Sequence, residues 1–157
     1  MAKKATKAAD NIFYKARMEA AACNDSLNSR EGAAELLGID RTRLARIELG
    51  SLNPYPEEVL LMSDAYNAPE LNNYFCSKMC PLGRATVPTA ELLHLDRLTI
   101  RILTALGDTE FIKRTILEIV KDGVVSEDEQ PQVQQILTAL ENISKAALEM
   151  KLWVEKN

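Results

Sequence analysis

Cysteine, histidine and aromatic residues are scarce in this chain. Its 157 residues include three cysteines and one histidine, and 5% of them are aromatic. An odd number of cysteines does not suggest a disulfide framework, and a structural zinc site needs four ligands. A glycine-rich phosphate loop, a nucleophile elbow and a second histidine for acid–base chemistry are also missing. The sequence therefore predicts no metal, no cofactor and no enzyme activity.

Long apolar runs and alternating β-branched segments are missing too. No stretch approaches the roughly 18 consecutive apolar residues that a membrane-spanning helix needs. The basic start MAKKATKAAD is not followed by the apolar core of a secretion signal. Residues that favour helices occur nearly everywhere. We therefore expect an all-α, cytoplasmic protein with no membrane partner.

Proline and glycine divide the chain into parts. Residues 81–88 contain two prolines and a glycine and predict a linker. Residues 10–80, before the linker, have the pattern of five helices, and residues 89–157, after it, have the pattern of three. The Ala/Lys-rich residues 1–9 are predicted to be disordered.

A pair of cysteines invites a metal or redox interpretation. Cys76 and Cys80 are four residues apart and can share a helix face, but only Cys23 and His94 remain as further ligands of this type. We interpret the cysteines as small packing side chains.

A second motif resembles part of a calcium-binding loop. The segment from Asp122 to Glu129 has the glycine and terminal glutamate of the second half, but the oxygen ligands of the first half are missing. Ser126 and Glu129 instead fit a Ser-x-x-Glu helix start, with Pro131 tolerated in the first turn. Calcium is not predicted.

Residues 29–53, SREGAAELLGIDRTRLARIELGSLN, have the pattern of two short helices joined by a tight turn. Ala34 is small enough for a close helix crossing, and Gly38 tolerates a positive φ in the turn. Leu44 and Ile47 supply apolar anchors on the second helix. The segment therefore predicts a closely packed helix pair.

The second helix of this pair carries several arginines. It places Arg41, Arg43 and Arg46 on the side away from its apolar anchors, with Thr42 between them. Its predicted cap is Asp40. Arginine on an exposed helix can donate two hydrogen bonds to guanine O6 and N7 in the major groove. The cluster therefore favours contact with DNA.

Two plainer interpretations stay open. Apolar residues at this spacing also describe an ordinary helical hairpin. Charged helix faces are often only solvated, and Arg43 or Arg46 can pair with Glu48 or Asp40 instead of DNA.

The segment is similar to the helix-turn-helix of Cro-like, phage-repressor type bacterial regulators, the Xre family. Ile47-Glu48-Leu49-Gly50 matches that family's apolar-Glu-x-Gly ending of the recognition helix, and Asn53-Pro54 matches the loop that follows. Arg17 occupies the place of an arginine that often pairs with the equivalent of Glu48. The resemblance extends to about residue 70, and the later region is similar to a Gram-positive or mobile-element subgroup.

The chain departs from the family pattern in three places. The segment 23–28 makes the first connection longer than in compact members. Gly32 lies inside the second helix, where glycine costs about 1 kcal/mol relative to alanine. Arg30 stands where many relatives carry glutamine.

The resemblance implies a five-helix, lambda-repressor-like DNA-binding domain, with a recognition helix at residues 41–49 that enters the major groove of a palindromic operator. Base edges are expected to be contacted by Arg41, Thr42 and Arg46. Phosphates are expected to be contacted by Ser29, Arg30, Arg43, Ser51 and Asn53. The motif itself is expected to depend on Arg17, Ala34, Gly38, Leu44, Ile47, Glu48 and Gly50.

Charge is unevenly distributed along the chain, whose net charge is −4. Residues 1–50 carry nine Lys/Arg against seven Asp/Glu, a balance of +2, whereas residues 89–157 carry eight against twelve, a balance of −4. A basic surface this local offers few phosphate contacts per subunit. We therefore expect a homodimer that binds two half-sites about 34 Å apart.

Three helices are predicted in the C-terminal region, at residues 89–106, at residues 109–121 and from Val133 onward. Apolar residues in the last helix repeat at spacings of four and three, the rhythm of coiled coils. The rhythm spans about three heptads, so the apolar face of an ordinary bundle helix remains an alternative. Leu152 and Trp153 are expected to be exposed. The expected dimerisation residues are Ile136, Leu140, Ile143, Met150, Trp153 and Val154.

These features predict a transcriptional regulator, a repressor in preference to an activator, that binds double-stranded DNA as a homodimer. The alternative is a non-enzymatic interaction module that keeps the helix-turn-helix as a scaffold and binds another regulator through its helical tail. No pocket for a small-molecule effector is indicated by the sequence.

Overall fold

The computed structural model describes residues 8–121 and 123–157, and within these ranges the regular structure is entirely helical. The predicted all-α class is therefore confirmed. The chain divides between Val87 and Pro88 into two compact units. The predicted disorder of residues 1–9 lies mostly outside the described residues. Ala8, which is described, is buried in a turn.

The first unit consists of short helices, and polar side chains cap the starts of the first three α-helices. Asn11 accepts hydrogen bonds from the N–H groups of Phe13 and Tyr14, and Ser29 and Asp40 cap the next two α-helices in the same way. Asn24 caps a 3₁₀ turn at Asp25–Asn28. The α-helices are α1 Ile12–Ala20, α2 Arg30–Leu37, α3 Arg41–Glu48, α4 Pro56–Ala65, α5 Glu70–Tyr74 and α6 Pro81–Thr86.

One apolar core joins the helices of the first unit. Leu27, Leu44, Met62 and Leu71 are fully buried at its centre. They come from the 3₁₀ turn, α3, α4 and α5. The core therefore depends on side chains brought together from across the first 80 residues.

The predicted linker at residues 81–88 is largely helical instead. After α5 the chain makes a π-helical turn at Phe75–Met79, in which the Cys80 N–H donates to the Phe75 carbonyl oxygen over 2.9 Å. Helix α6 follows at once and packs against that turn. A Cβ atom at Gly83 would lie 2.1 Å from the Cys76 carbonyl oxygen. Gly83, which contributed to the linker prediction, is therefore needed for close backbone packing.

The second unit contains three α-helices: α7 Leu95–Gly107, α8 Thr109–Ile119 and α9 Gln130–Lys156. The predicted stop after Gly107 agrees with the structure. The predicted start at Thr89 is wrong, because residues 88–94 are non-helical. In that segment the Glu91 N–H donates to the buried carboxylate of Glu149 over 3.3 Å. A side chain distant in sequence thus competes with the first turn of a helix.

The Ser-x-x-Glu motif caps a 3₁₀ turn at Glu127–Glu129, and α9 follows directly at Gln130. The Glu129 carboxylate accepts a hydrogen bond from the Ser126 N–H over 2.8 Å, and Pro131 lies in the first turn of α9. Asp122 lies outside the described residues. Gly123 has a φ of 73°, the left-handed conformation expected after a helix.

The core of the second unit is small. Ile112, Ile119, Ile136 and Ala139 are buried together, and Ile143 packs against them. Ile136 and Ile143 were expected to join two subunits. In the structure both pack within one subunit, which was the alternative interpretation. The expectation that Leu152 is exposed is also wrong, because it is buried, whereas Trp153 is half-buried. None of the helices among the described residues has the length and apolar composition to cross a membrane.

Replacing Gly32 with alanine is expected to destabilise the first unit. A Cβ atom at Gly32 would lie 2.2 Å from the Ser26 carbonyl oxygen. Such overpacking costs about 1–3 kcal/mol, and a contact this short with backbone belongs to the upper end of that range. Alanine recovers only about 1 kcal/mol through helix propensity.

Urea unfolding followed by far-UV circular dichroism measures this difference. Gly107→Ala is the matched control, because a Cβ atom there meets no described atom within 4 Å. The Gly32→Ala midpoint should fall while the Gly107→Ala midpoint does not. Equal midpoints would show that the 3₁₀ turn moves away from α2 at no cost.

Candidate nucleic-acid interface

Helices α2 and α3 meet at a tight turn of the predicted type. Gly38 ends α2 with a φ of 65°, which favours glycine, and the Ile39 N–H donates to the Ala34 carbonyl oxygen over 3.1 Å. Ala34 is buried where the helices pack. Gly50 ends the segment with a φ of 72°. The small and conformationally permissive residues thus lie where the helix pair requires them.

Helix α3 has one buried face and one exposed face. Leu44, Ile47 and Glu48 are at most 1% exposed. Arg41, Thr42 and Arg46, the residues expected to contact bases, are exposed. The side of α3 opposite the core therefore carries two arginines and a threonine.

Glu48 is the charged centre of the motif. Its side chain is 0% exposed and accepts hydrogen bonds from Arg17, with Nε–Oε1 and Nη2–Oε2 distances of 2.6 and 3.1 Å. Arg17 Nη1 also donates to the Leu27 carbonyl oxygen over 2.6 Å. Burial lowers the pKa of Arg17, but the hydrogen bond and charge of Glu48 outweigh it, so that pKa is raised overall. The structure thus contains the Arg17–Glu48 ion pair that the resemblance implies.

Arg30 binds the same carboxylate. Its Nε donates to Glu48 Oε2 over 2.6 Å, and its side chain is 31% exposed. Arg30 was expected to contact phosphate, but here its Nε neutralises a buried charge. Two arginines on one carboxylate leave a net positive charge beside the first turn of α2. Sequence spacing did not indicate this triad, because its members are 13 and 18 residues apart.

Arg43 is also held within the protein. Its Nε and Nη2 donate to the two carboxylate oxygens of Glu58, with an Nη2–Oε2 distance of 2.8 Å. Its guanidinium carbon lies 4.2 Å from the centroid of the Tyr55 ring. The expectation that Arg43 contacts phosphate is therefore not met in this structure. The sequence interpretation did allow an internal partner, but it named Glu48 or Asp40 and missed Glu58.

Glu58 links α3 to the start of α4. Its Oε2 also accepts from the Tyr55 N–H over 2.7 Å. The hydrogen bonds from Arg43 and from that N–H, together with the charge of Arg43, lower the pKa of Glu58 against an opposing effect of burial. The sequence did contain a sign of this role. Glu58 is the third residue of α4, a position at which a glutamate side chain accepts a hydrogen bond from the N–H of the cap residue.

The remaining site residues lie at the surface. Arg41 pairs with Glu31, with an Nε–Oε1 distance of 2.5 Å, and both side chains are 61% exposed. Arg46 has no ion-pair partner within residues 8–121 and 123–157. The Ser51 hydroxyl donates to the Arg46 carbonyl oxygen over 3.1 Å, and Asn53 is exposed after α3.

Comparisons of the whole chain with protein-family models, with curated proteins and with solved structures return no match. We therefore infer the function from the geometry of α2, α3 and their ion pairs.

Glu48→Gln is expected to destabilise the first unit severely. The change removes the charge that compensates Arg17, which is 3% exposed, and breaking a buried pair in this way costs about 3–5 kcal/mol. Glu57→Gln, at an exposed position in the first turn of α4, should cost at most about 1 kcal/mol. Thermal unfolding by circular dichroism compares the two, and equal melting temperatures would show that water or another group replaces the carboxylate.

Proposed function

We propose that this chain is a sequence-specific, DNA-binding transcriptional regulator, a cytoplasmic repressor that binds a palindromic operator as a homodimer. Helix α3 enters the major groove, and the first unit is a lambda-repressor-like domain of the Xre type. The chain is not an enzyme in this proposal.

The observation that carries the proposal is the division of α3 into two faces. The buried face is fixed by Leu44, Ile47 and Glu48, and the exposed face presents Arg41, Thr42 and Arg46. A helix that enters a groove needs a fixed orientation as well as exposed donors, because bidentate contacts to a base tolerate little displacement. The ion pairs of Glu48 and Glu58 provide that orientation.

The internal ion pairs change the roles within the arginine cluster. Arg41, Thr42 and Arg46 contact base edges, while Ser29 and Asn53 donate to phosphates. Ser51 donates to a phosphate only when its hydroxyl leaves the Arg46 carbonyl oxygen. Arg30 and Arg43 act as positioning residues, because their Nε atoms bind Glu48 and Glu58. Few cations then remain for phosphate contact, so one subunit binds DNA weakly and a second half-site is needed.

The second unit supplies a surface for joining two subunits. Ile100 and Leu103 in α7, Leu117 in α8, and Val120 just after α8 are each between 63% and 65% exposed. Large apolar side chains exposed in such numbers mark association surfaces. In α9, Leu140, Met150 and Val154 are also exposed. We therefore place the dimer contact on α7 and α8, with these three α9 residues as its extension.

Selection from a random duplex library at near-physiological salt tests the DNA proposal. The purified protein should enrich a two-fold symmetric site. Against that site, Arg46→Ala should lose about 1–3 kcal/mol, roughly 5- to 150-fold in affinity, with relaxed preference at one base position.

Two variants control for charge. Arg46→Lys keeps the charge but lacks the planar fork, so it should also lose the base preference. Arg84→Ala removes one exposed charge from α6, outside the helix pair, and should keep the preference. No enrichment by the unaltered protein would favour the interaction module instead, with the helical tail binding another regulator.

Leu103→Glu combined with Leu117→Glu should convert the dimer into a monomer, because two charges per subunit would be desolvated in an apolar contact. Light scattering after size exclusion measures the mass. Gln134→Glu combined with Gln135→Glu adds the same charge at exposed positions of α9 and should leave the dimer intact. A dimer that persists in the leucine variant would move the contact away from α7 and α8.

A further inference from the structure

We propose that Glu31 is a positioning residue for Arg41: it holds the Nε of that guanidinium so that the two terminal amino groups face a guanine in the major groove. This inference rests on the proposed function and adds a specificity-determining residue to it. Glu31 itself was not among the residues expected to act in the site.

Glu31 is anchored in the first turn of α2. It follows Arg30, the first residue of the helix, and the helix start is capped by Ser29. The backbone N–H of Glu31 lowers the pKa of its carboxyl group most, burial opposes this, and the nearby guanidinium groups of Arg41 and Arg30 lower the pKa further. The side chain is therefore ionised at neutral pH.

Arg41 is the first residue of α3 and extends toward Glu31. The ion pair joins Arg41 Nε to Glu31 Oε1 over 2.5 Å, so the carboxylate lies beside only one of the three guanidinium nitrogens. The four N–H donors of the two terminal nitrogens lie in one plane and match the spacing of guanine O6 and N7. A carboxylate beside Nε thus restricts where the fork can lie and leaves its far edge for a base.

The exposure of the Glu31–Arg41 pair indicates that the pair affects DNA recognition more than it affects folding. Both side chains are 61% exposed, and ion pairs in water contribute little to folding. In a groove the same pair loses water, so the interaction strengthens. An unpaired carboxylate at this place would repel the phosphate backbone. Glu31 therefore disfavours DNA in general and favours sequences in which Arg41 gains a base contact.

Arg46 provides an internal comparison on the same helix. It is exposed and has no ion-pair partner in the part of the chain that the structure describes. Removing Glu31 should therefore change the preference for the base that Arg41 contacts and leave the preference for the base that Arg46 contacts unchanged.

The test compares Glu31→Ala with Glu31→Gln on the selected operator, on operators with single base changes and on random duplex DNA, all at one salt concentration. The base contacted by Arg41 is first located with Arg41→Ala. Alanine removes the acceptor, whereas the glutamine amide oxygen can still accept from Nε without carrying charge. Glu35→Ala, an exposed glutamate one turn later in α2, is the matched control.

Glu31→Ala is expected to lose up to about tenfold of the discrimination at the Arg41 position, part of the range for one bidentate contact. Its affinity for random DNA should rise. Glu31→Gln should keep more of the discrimination than alanine, and Glu35→Ala should keep all of it.

Two results would overturn the positioning role while leaving the DNA proposal intact. An equal rise in affinity for every sequence, the same for alanine and glutamine, would mean that Glu31 only repels phosphate. Unchanged discrimination in both variants would mean that Arg41 orients itself. If the unaltered protein enriches no sequence, the proposed function fails first, and the role of Glu31 fails with it.

Discussion

The Glu48 carboxylate is the constraint on which the first unit depends. It lies with 0% exposure between Arg17 of α1 and Arg30 of α2, and Arg17 in turn binds the carbonyl of Leu27. Two helices and a turn are thereby connected to the last residue of α3 through charged groups that cannot be left unpaired in an apolar interior. Because hydrogen bonds to a carboxylate are directional, this arrangement sets the rotation of α3 about its axis as well as its position. Burial of Leu44 and Ile47 alone would allow small rotations.

A second ion pair acts at the other end of the same surface. Arg43 binds Glu58 and lies over the ring of Tyr55, which connects α3 to the start of α4. Of the three arginines in α3, one is thus used to hold the helix and two remain at the surface. This division matters for a chain of net charge −4. In the proposed DNA complex, so few cations would attract phosphate only weakly, and discrimination between sequences would depend on a few oriented donors.

The two units differ in the size of the apolar cluster that each buries. The first has a continuous core drawn from α1 to α5. The second buries a smaller cluster around Ile112 and Ile136, and outside that cluster Leu98, Ala105, Ala146 and Leu152 are also buried, while Ile100 and Leu117 stay more than 60% exposed. In the proposed dimer, a second copy would cover these exposed side chains and would supply the second DNA-binding domain that a two-fold symmetric operator needs.

The sequence by itself determined the helical class, the cap at Asp40, the turn at Gly38 and the exposed face of α3, because each depends on neighbours within a few residues. It also indicated Arg17 with Glu48, through resemblance. Only the tertiary structure decided the partners of Arg30 and Arg43, since an ion pair depends on which helices pack together. The same reason explains the glycines. From the sequence alone, Gly32 is a residue that weakens a helix and Gly83 is part of a linker. In the structure, each lies where the backbone of another segment leaves no room for a Cβ atom. Likewise, the spacing of Ile136 and Ile143 was visible in the sequence. Whether these side chains face their own unit or a second copy depends on contacts with residues that are distant in sequence.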